Sequence, residues 1–499
     1  MEIVMKYFSK RFTPIVGALG IVLPLHAYAT NGMNLEGYGP EATAMGGASM
    51  AYDNGTGAVM NNPATLGLMK SNHRLDVAIG MLGPDVSATV TMPGGSMSAD
   101  SSGTSYFMPA LGWAKRSGAF TFGFGVFGQG GMGTEYSSTS WMSNPGQLVT
   151  SPNLVNRSEV GVGRAILPLV FNLSDKVSIG GSVDFVWAGM DLQMAMSEAQ
   201  FQNIANPQAQ TIGTASGTLV DSFGQLYEPF GAAAGIQTLH HAYFDFSDDS
   251  DFTGEAMGTG FAGKIGIAMQ LTKKLSIGAT YHSKTKLSDL ETDNATMSMG
   301  INADGAVLQG QTPSGTYTDM NVPVTGKITV NDFQWPDMIG FGMALQATDK
   351  LLFVADVKRI GWASVMENFS MTFEADSTAA NGGFAGKVLD VALYQNWEDQ
   401  VVMAGGAAYD VTKDLTVRLG YNHATNPIPD EFLNALFPAI VEDHITAGIG
   451  YTFGGSTIDL SVQKALEVEN TNAGNGSTIP PVTSTHSQLS WQLMYSLRY

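Results

Sequence analysis

The residue patterns that could carry out chemistry are few and incomplete. Gly123-Phe-Gly-Val-Phe-Gly128 fits the G-x-G-x-x-G pattern of dinucleotide-binding turns, but it lies inside a strand-like stretch that no helix follows. The stretch Gly258-Thr-Gly-Phe-Ala-Gly-Lys264 is close to a phosphate loop, but Ile265 stands where a hydroxyl residue would contact magnesium. Neither pattern therefore predicts a nucleotide site.

Metal binding and nucleophilic catalysis have equally little support. His240 and His241 are adjacent and would point apart on a strand, and no H-E-x-x-H or repeated His spacing occurs. The chain has no Cys, which excludes thiolate metal sites and Cys nucleophiles. A Ser hydrolase that uses His282 or His423 stays open as an alternative, although no G-x-S-x-G motif is present. We therefore predict that the protein is not an enzyme and has no cofactor and no metal.

Composition narrows the class of protein. The chain has 499 residues, 60 of them Gly, a net charge of -20, only 14% charged residues and a mean hydropathy near zero. This charge argues against nucleic acid as a partner. No apolar run of about 18 residues follows the first 29 residues, so a helical membrane protein is not expected.

The two ends of the chain indicate export and a membrane barrel. Lys6, Lys10 and Arg11 precede an apolar run that leads to Ala27-Tyr28-Ala29, so residues 1–29 are predicted to be a cleaved signal peptide rather than a membrane anchor. At the other end, Trp491, Leu493, Tyr495, Leu497 and Tyr499 alternate with mostly polar residues. An apolar-out alternation of this kind is typical of lipid-facing strands in outer-membrane barrels.

Short polar connections alternate with long ones along the chain. The short ones are Lys115–Gly118, Asn172–Lys176, Leu271–Lys274, Ala347–Lys350, Asp410–Asp414 and Phe453–Gly455. The long ones, rich in Gly, Ser and Asn or in acidic residues, are about 92–103, 132–156, 197–256, 290–318, 375–396, 425–442 and 468–486. Six turns and seven loops join fourteen strands, and short periplasmic turns with long outer loops are the rule for outer-membrane barrels. We therefore predict an all-β, fourteen-stranded antiparallel transmembrane β-barrel over residues 72–499, a count that Pro336, inside one long strand, leaves open by two.

Residues 30–71 lack strand alternation and are predicted to fold into the lumen as a plug. They contain Gly32-Met33-Asn34-Leu35, Tyr38, Ala44–Ala51 and Asn61-Asn62-Pro63-Ala64. In this order the motifs resemble the N-terminal hatch of the FadL family of outer-membrane transporters for long-chain fatty acids and hydrophobic compounds. The resemblance continues over most of the mature chain in Gly128-Gln-Gly130-Gly131, Trp335–Met338 and Asn426–Asp430.

The resemblance implies a transport mechanism. In that family the outer loops capture an apolar compound, a lumenal site binds it, and a hatch movement passes it to an opening in the wall at a kinked third strand. Gly128, Gly130, Gly131 and Gly133 would supply the kink, because glycines weaken strand pairing and admit positive φ, so that the strand can bend inward and leave a gap in the wall. The hatch residues Met33, Leu35, Tyr38, Asn62, Pro63 and Ala64 would take part in the movement. The implied partners are outer-membrane lipid, lipopolysaccharide and the barrel assembly machinery, and the protein is expected to be a monomer.

Candidate residues for capture and lumenal binding follow from apolar spacing. Leu219, Phe223, Leu226 and Phe230 recur at helical spacing in one loop, and Phe432, Leu433, Leu436 and Phe437 do so in another. These patches could form a capture groove or pack against each other. Met190, Leu192, Met194 and Met196 share one face of the fifth strand, and that face could point to the lumen or to lipid.

The substrate stays open at this stage. Fatty-acid members of the family carry basic residues near the end of the fifth strand, but no Lys or Arg occurs from Gly189 to Gln200. A neutral alkane or aromatic hydrocarbon is then as well supported as a fatty acid. A cation from another strand could still bind the carboxylate of a fatty acid. The candidates are Arg157, Arg164, Lys264, Lys284, Lys286, Lys358 and Arg359. A general porin is the alternative function. The acidic stretch Asp245–Asp251 could bind calcium or bridge lipopolysaccharide, although a solvated loop is the simpler interpretation.

Overall fold

The computed structural model describes residues 30–146, 152–248 and 254–499. The predicted signal peptide at residues 1–29 lies outside these ranges, as do residues 249–251 of the acidic stretch. No helix in these three ranges is both long enough and apolar enough to cross a membrane.

Antiparallel strands make up most of the described chain. The strands are β1 (His73–Met92), β2 (Gly95–Asp100), β3 (Tyr106–Ser117), β4 (Phe120–Tyr136), β5 (Asn156–Ser174), β6 (Val177–Met196), β7 (Gly213–Ser216), β8 (Ile236–Phe246), β9 (Ala256–Gln270), β10 (Leu275–His282), β11 (Lys286–Leu287), β12 (Leu290–Asp304), β13 (Tyr317–Asn331), β14 (Met338–Thr348), β15 (Leu351–Ile360), β16 (Asn368–Ala375), β17 (Val388–Tyr394), β18 (Gln400–Asp410), β19 (Leu415–Ala424), β20 (Asp443–Phe453), β21 (Ser456–Asn472) and β22 (Val482–Arg498). The short helices are α1 (Pro40–Thr43), α2 (Glu198–Ala205), α3 (Thr218–Gly224) and α4 (Gly305–Leu308). Single 3-10 turns lie at Gly55–Val59, Pro63–Leu68, Trp141–Ser143, Glu228–Phe230, Trp362–Ser364, Ala379–Phe384 and Asp430–Phe432.

The strands close into a barrel, as the sequence predicts. Pairing runs in the order β1, β3, β4, β5, β6, β9, β10, β14, β15, β18, β19, β20, β21 and β22. The last strand, β22, returns to pair with β1 over seventeen residue pairs, from Arg74–Arg498 to Val90–Val482. Because a closed wall leaves no edge strand, the backbone groups of the wall are satisfied without water. The six predicted short turns all lie at one end of this barrel, between consecutive wall strands.

The predicted count of fourteen strands is wrong, because two further strands enter the wall at the end that carries the long loops. β6 pairs with β9 as far as Met190–Ala256 and from Leu192 onward with β8. β8 pairs with β12, and β12 reaches back to β9 at Glu291–Met257. With β8 and β12 the barrel has sixteen strands. Both strands lie in stretches that composition had assigned to loops, 197–256 and 290–318.

A second correction concerns the long strand predicted to run through Pro336. The structure divides it into β13, which ends at Asn331, and β14, which begins at Met338. Pro336 has no backbone donor, and Asp332 adopts a φ of 49°, so the ladder stops between them. β13 pairs with β12 and β16 instead of joining the main ring, and β16, β17 and β7 extend this sheet outward from β12.

The two faces of the wall strands follow the predicted alternation. On β6, Val183 and Phe185 are 62% and 42% exposed, whereas Asp184 and Val186, which alternate with them, are fully buried. An apolar face that is exposed on the outside is what contact with lipid requires. The Met residues of β6 share the phase of Val186, so their face points to the interior.

The segment before β1, residues 30–71, contacts inward-facing groups of strands on every side of the ring. The hydrogen bonds that attach it include Gly46 N to Thr446 Oγ1 (2.9 Å), Ser49 N to Asp356 Oδ2 (2.6 Å), Thr56 N to Asp76 Oδ2 (2.8 Å), Asn62 Nδ2 to Ile267 O (3.2 Å) and Ser178 Oγ to Ala64 O (2.8 Å). We refer to residues 30–71 as the N-terminal segment. Almost every one of its residues up to Met69 is buried or half-buried.

Candidate functional site

The pairing between β3 and β4 stops halfway along the wall. Register pairs run from Ser117–Phe120 to Ala110–Phe127, and in the described chain none joins these two strands beyond that point. β3 nevertheless continues to Tyr106 and β4 to Tyr136, each paired with its other neighbour. The wall therefore has a stretch beside Gly128 in which two adjacent strands are not hydrogen-bonded to each other.

The N-terminal segment occupies the backbone positions that β3 leaves free. Gly131 N donates to Met33 O at 3.0 Å, and Asn34 forms an isolated antiparallel bridge with Gly130. A Cβ atom at Gly130 would lie 2.1 Å from Met33 O, so only glycine admits this approach. The positive φ predicted for Gly128, Gly130, Gly131 and Gly133 is wrong, because none of them has one.

Polar side chains complete this contact. Tyr38 Oη donates to Gln129 O at 2.5 Å and lies 3.2 Å from Asn34 Oδ1, which also accepts from Trp335 Nε1 at 3.3 Å. Arg164 Nε donates to the Gln129 side chain, and Arg164 Nη1 pairs with Asp184 at 2.8 Å. These bonds fix the bent part of β4 against residues 33–38.

A cavity lies where the unpaired stretch of β3 and β4 meets the N-terminal segment. It holds about 600 Å³ of empty space, counting the part open to solvent, and its lining comes from β1, β3, β4, β21, β22 and the N-terminal segment. Leu35, Tyr38, Met108, Phe127 and Gly128 are among the lining residues. We call it the kink cavity. The structure thus brings three of the predicted site residues, Leu35, Tyr38 and Gly128, to one mostly apolar space.

A second cavity, of about 520 Å³ by the same measure, lies under residues 31–38 on the side of β10 and β15. Glu36 lines it, is 1% exposed, and has no hydrogen-bond partner for either carboxylate oxygen. Burial raises the pKa of the Glu36 carboxyl group to about 8, although the charge of Lys358 acts in the opposite direction. Glu36 is therefore mostly neutral at pH 7, and ionising it in place is unfavourable.

Asn62, Pro63 and Ala64 do not line either cavity, but attach the N-terminal segment to the wall. Asn62 Nδ2 donates to Met50 O at 2.8 Å, and its Oδ1 caps the 3-10 turn at Ala64 N, with Pro63 at the first position of the turn. A Cβ atom at Gly180 of β6 would come within 2.7 Å of Ala64 N. The motif fixes the N-terminal segment to β6 and β9.

An ion network holds the opposite part of the N-terminal segment. Glu41 on α1 accepts from Arg74 Nη2 at 3.2 Å and lies 3.7 Å from both Arg418 and Arg498. Burial by itself would raise the pKa of Glu41, but the charges of Arg418, Arg74 and Arg498 outweigh it and hold that pKa below its usual value. Arg74 also pairs with Asp76 at 3.0 Å. The network joins α1 to β1, β19 and β22.

The apolar interior above the N-terminal segment includes the Met face of β6. Met190 and Met194 are 1% and 6% exposed and belong to one hydrophobic cluster with Met33. That cluster also contains Trp335, Trp362 and Trp397, whose rings form edge-to-face contacts at centroid distances of 5.5 and 5.3 Å. Trp335 lies in a motif that the sequence analysis names, but Trp362 and Trp397 have no regular spacing from it, so the sequence did not predict that the three rings pack together. We call Trp335, Trp362 and Trp397 the Trp row.

The predicted capture residues of the 197–256 loop divide between core and surface. Leu219 and Phe223 on α3 are 3% and 1% exposed, and Leu226 packs against the same cluster. Phe230 is 37% exposed and stacks on Phe201 at 6.4 Å. Most of this stripe therefore packs inward, and only Phe230 keeps an exposed apolar surface.

The second predicted patch is not helical. Asp430–Phe432 form a single 3-10 turn, and residues 433–440 continue without a helix. Phe432 and Phe437 are half-buried. Their rings lie against those of Tyr394 and Phe369, with centroid distances of 6.4 and 6.0 Å. The backbone of this loop turns into the barrel, where Leu436 O accepts from Thr134 Oγ1 at 3.0 Å and Ala435 O from Tyr136 Oη at 3.1 Å.

Comparison with known proteins identifies the family. Residues 26–490 match the model of the outer membrane protein transport proteins (OMPP1/FadL/TodX). The chain belongs to this family. Its members are transport channels of the outer membrane and not enzymes, which confirms the predicted class and localisation.

Solved structures support the assignment. The chain is similar to the toluene transporter TodX of Pseudomonas putida, at 28% identity and a TM-score of 0.75 over 93% of this chain and 99% of that one. It is also similar to the toluene transporter TbuX of Ralstonia pickettii, at 29% identity and a TM-score of 0.70 over 93% and 99%. A FadL homologue of Pseudomonas aeruginosa shares the fold at 15% identity, with a TM-score of 0.64 over 94% and 99%.

A protein of Chlorobium limicola, described as an uncharacterized protein in the phosphoenolpyruvate carboxykinase gene 5' region, is 53% identical over 74 residues. These residues are 14% of this chain and 36% of that protein, so the chain matches about a third of its length.

Proposed function

We propose that this protein takes up neutral hydrophobic compounds by diffusion and releases them sideways into the outer membrane. The observation that carries the proposal is the kink cavity, which lies where β3 and β4 are not paired and where the backbone at Met33 stands in for the missing partner. A lipid-soluble molecule gains nothing from leaving this apolar space toward water, whereas an opening in the wall leads directly to lipid. In this proposal the N-terminal segment is the hatch.

The route has three stages. Apolar compounds first meet the outer loops, where Phe230, Phe432 and Phe437 keep partly exposed rings. They then enter the interior lined by Met190, Met194 and the Trp row, because flexible thioethers adapt to ligands of varied shape. Displacement of residues 31–35 from β4 finally joins the interior to the kink cavity.

The charge distribution favours a neutral compound over an ionised fatty acid. Within the described ranges, the buried Lys and Arg side chains are Arg74, Arg157, Arg164, Lys264, Lys358 and Arg418, and each has a partner. Arg74, Arg157, Arg164, Lys264 and Arg418 pair with carboxylates, and Lys358 donates to Glu36 O and Gly47 O at 3.0 and 2.8 Å. A fatty-acid carboxylate would have to displace one of these partners, which costs free energy.

The other Lys and Arg residues that the sequence analysis names as possible partners of a carboxylate lie on the surface. Lys284 and Lys286 are exposed, and Arg359 is half exposed and paired with Asp399 and Asp337. They are not placed to meet a ligand in the interior. The toluene transporters among the similar structures support the same class of substrate for this chain.

Displacement of a fluorescent fatty-acid probe from the detergent-purified protein tests the substrate class. A long-chain fatty acid, an alkane and an aromatic hydrocarbon are compared as competitors. We expect the hydrocarbons to compete at least as well as the fatty acid, and strong preference for the fatty acid would contradict the neutral site. Absence of saturable binding together with steady ion conductance in planar bilayers would indicate a general porin instead.

Blocking the kink cavity tests the lateral exit. Gly128→Phe adds a ring to the cavity at a place where the nearest atom is the mobile end of the Met108 side chain. We expect uptake of radiolabelled toluene by cells to fall several-fold in a variant that keeps the heat-modifiable mobility of a folded barrel. Gly161→Phe is the matched control, because Gly161 lies on β5 with open space at its Cβ position. Equal uptake by the two variants would overturn the exit at β4.

A further inference from the structure

One fully buried polar side chain in the kink cavity has no hydrogen-bond partner. Gln463 lies on β21, in register with Thr446 on one side and Ser490 on the other, and lines the cavity. The residue is fully buried, and neither its Nε2 nor its Oε1 atom has a hydrogen-bond partner. Buried amides in proteins are almost always satisfied, so a group of this kind indicates a missing ligand or water.

The neighbouring polar groups of the cavity differ from Gln463 in this respect. Asp76 accepts from Thr56 N and Thr56 Oγ1, both at 2.8 Å, and from Arg74. Tyr38 Oη donates to Gln129 O, and Ser490 Oγ accepts from Gln488 Nε2 at 3.3 Å. Each of these buried groups has a hydrogen-bond partner within the protein, whereas neither amide atom of Gln463 has one.

The rest of the lining sets the kind of molecule that would meet this amide. Leu82, Met108, Phe127 and Met494 form apolar walls around it. A ligand that fits must therefore be mostly hydrocarbon and must carry one small group that both donates and accepts. A hydroxyl group does both, while a carboxylate only accepts and would lie in the same cavity as the Asp76 carboxylate.

We infer that the kink cavity binds alcohols or phenols, with the ligand hydroxyl donating to Oε1 of Gln463 and accepting from its Nε2. This inference rests on the proposed function and deepens it, because it adds oxygenated hydrocarbons to the compounds that the exit recognises. A plain hydrocarbon in the same place leaves both amide atoms unpaired. A site that can bond a hydroxyl discriminates against the analogue without one.

Matched ligand pairs test the inference. Displacement of the fluorescent fatty-acid probe is measured with toluene and p-cresol, and with octane and 1-octanol, on the purified full-length protein. The quantity compared is the ratio of the two affinities within a pair, so that differences in water solubility cancel between variants. In Gln463→Leu we expect the preference for the hydroxyl compound to fall about tenfold relative to the wild type, the loss expected for one to two neutral hydrogen bonds.

Two controls separate the possible causes. Asn381→Leu removes a buried amide that neither lines the cavity nor bonds to a residue that lines it, and it should leave the ratio unchanged. Gln463→Met, which keeps the length of the side chain, should behave like Gln463→Leu, and both variants are checked for the heat-modifiable mobility of a folded barrel.

Each outcome decides one point. An unchanged ratio in the folded Gln463 variants would overturn the hydroxyl site and indicate that the amide only binds water. Failure of toluene and octane to displace the probe from the wild type would instead refute the proposed function. A ratio that falls equally in Asn381→Leu would also overturn the inference, because the effect would then not come from the cavity.

Discussion

The two parts of the N-terminal segment are held in different ways. Residues 39–69 are tied to the wall by the ion network of Glu41 and by buried hydrogen bonds to β1, β6, β9, β15 and β20. Residues 31–36 make one backbone bond and one bridge to β4, and they accept from Trp335 Nε1 and Lys358 Nζ. Their one carboxyl group, that of Glu36, has no hydrogen-bond partner and lies 3.5 Å from His444 Nε2. The difference indicates that movement near the kink does not require the whole segment to leave the barrel.

The largest effect is expected in the firmly held part. Arg74→Leu removes the partner of Asp76 and one partner of Glu41, which leaves buried carboxylates with fewer partners. We expect unfolding by urea in lipid vesicles to show a loss of about 3–5 kcal/mol, as for other broken buried ion pairs. Arg359→Leu is the control, because its half-exposed pair with Asp399 should be worth about 1 kcal/mol or less. Similar losses in the two variants would contradict the ranking of the two parts.

A smaller effect is expected at the contact with β4. Gly130→Ala places a Cβ atom against Met33 O and should displace residues 31–35 while the barrel stays folded. Because the chain has no Cys, a single Met33→Cys substitution reports this displacement through maleimide labelling. Loss of about one hydrogen bond predicts labelling roughly tenfold faster. Gly161→Ala should not change the rate, and a rate in Gly130→Ala equal to this control would show that the contact is not needed for docking.

The carboxyl group of Glu36 makes the same contact depend on pH. Since its pKa in the docked state is raised from 4.5 to about 8, docking of the neutral acid is strongest below pH 4.5 and weakens as the pH rises through about 8. Labelling at Met33→Cys should therefore increase from pH 5 to pH 9 more steeply than the thiol chemistry alone explains. Glu36→Gln, which cannot ionise, gives the reference slope. Parallel pH profiles for the two proteins would show that Glu36 does not couple to docking.

The smallest effect is expected from a single hydrogen bond in the firmly held part. Thr446→Val removes the hydroxyl that accepts from Gly46 N, although that amide keeps a second bond to Thr43 O at 3.1 Å. We expect a loss of stability of about 1 kcal/mol and no change in labelling at Met33→Cys. Faster labelling in this variant would mean that the two parts of the segment move together.

Much of the fold can be predicted from local patterns. The six short turns are polar and separate strands with clear alternation, so their positions follow from the sequence. The direction of the Met face of β6 did not follow, because both faces of the end of this strand carry apolar residues. The strands β8 and β12 could not be found this way, because the stretches that contain them have the Gly, Ser and Asn composition of loops. The pairs that bring them into the wall, β6 with β8 and β8 with β12, also join separate parts of the chain.

The candidate site was less predictable for a related reason. Gly130 is needed because the chain at Met33 approaches it, and nothing near Gly130 in the sequence shows this. The apolar spacing from Phe432 to Phe437 indicates a helix, but the backbone of this segment instead bonds to Thr134 and Tyr136 of β4, which the sequence does not show. The side chains of Gln463 and Glu36 lack hydrogen-bond partners because of residues that surround them in space, and these residues are distant in the sequence.

The seam between β1 and β22 has a consequence for how the protein is made. Its seventeen residue pairs join positions about 400 residues apart, so the last strand must be present before the ring can close. The N-terminal segment precedes β1 and contacts strands all around the ring, and it is therefore best placed inside while the sheet is still an open, curved ribbon. Contacts of such high sequence separation fold slowly. We expect a chain that lacks β22 to leave both its first strand and its interior segment exposed to degradation.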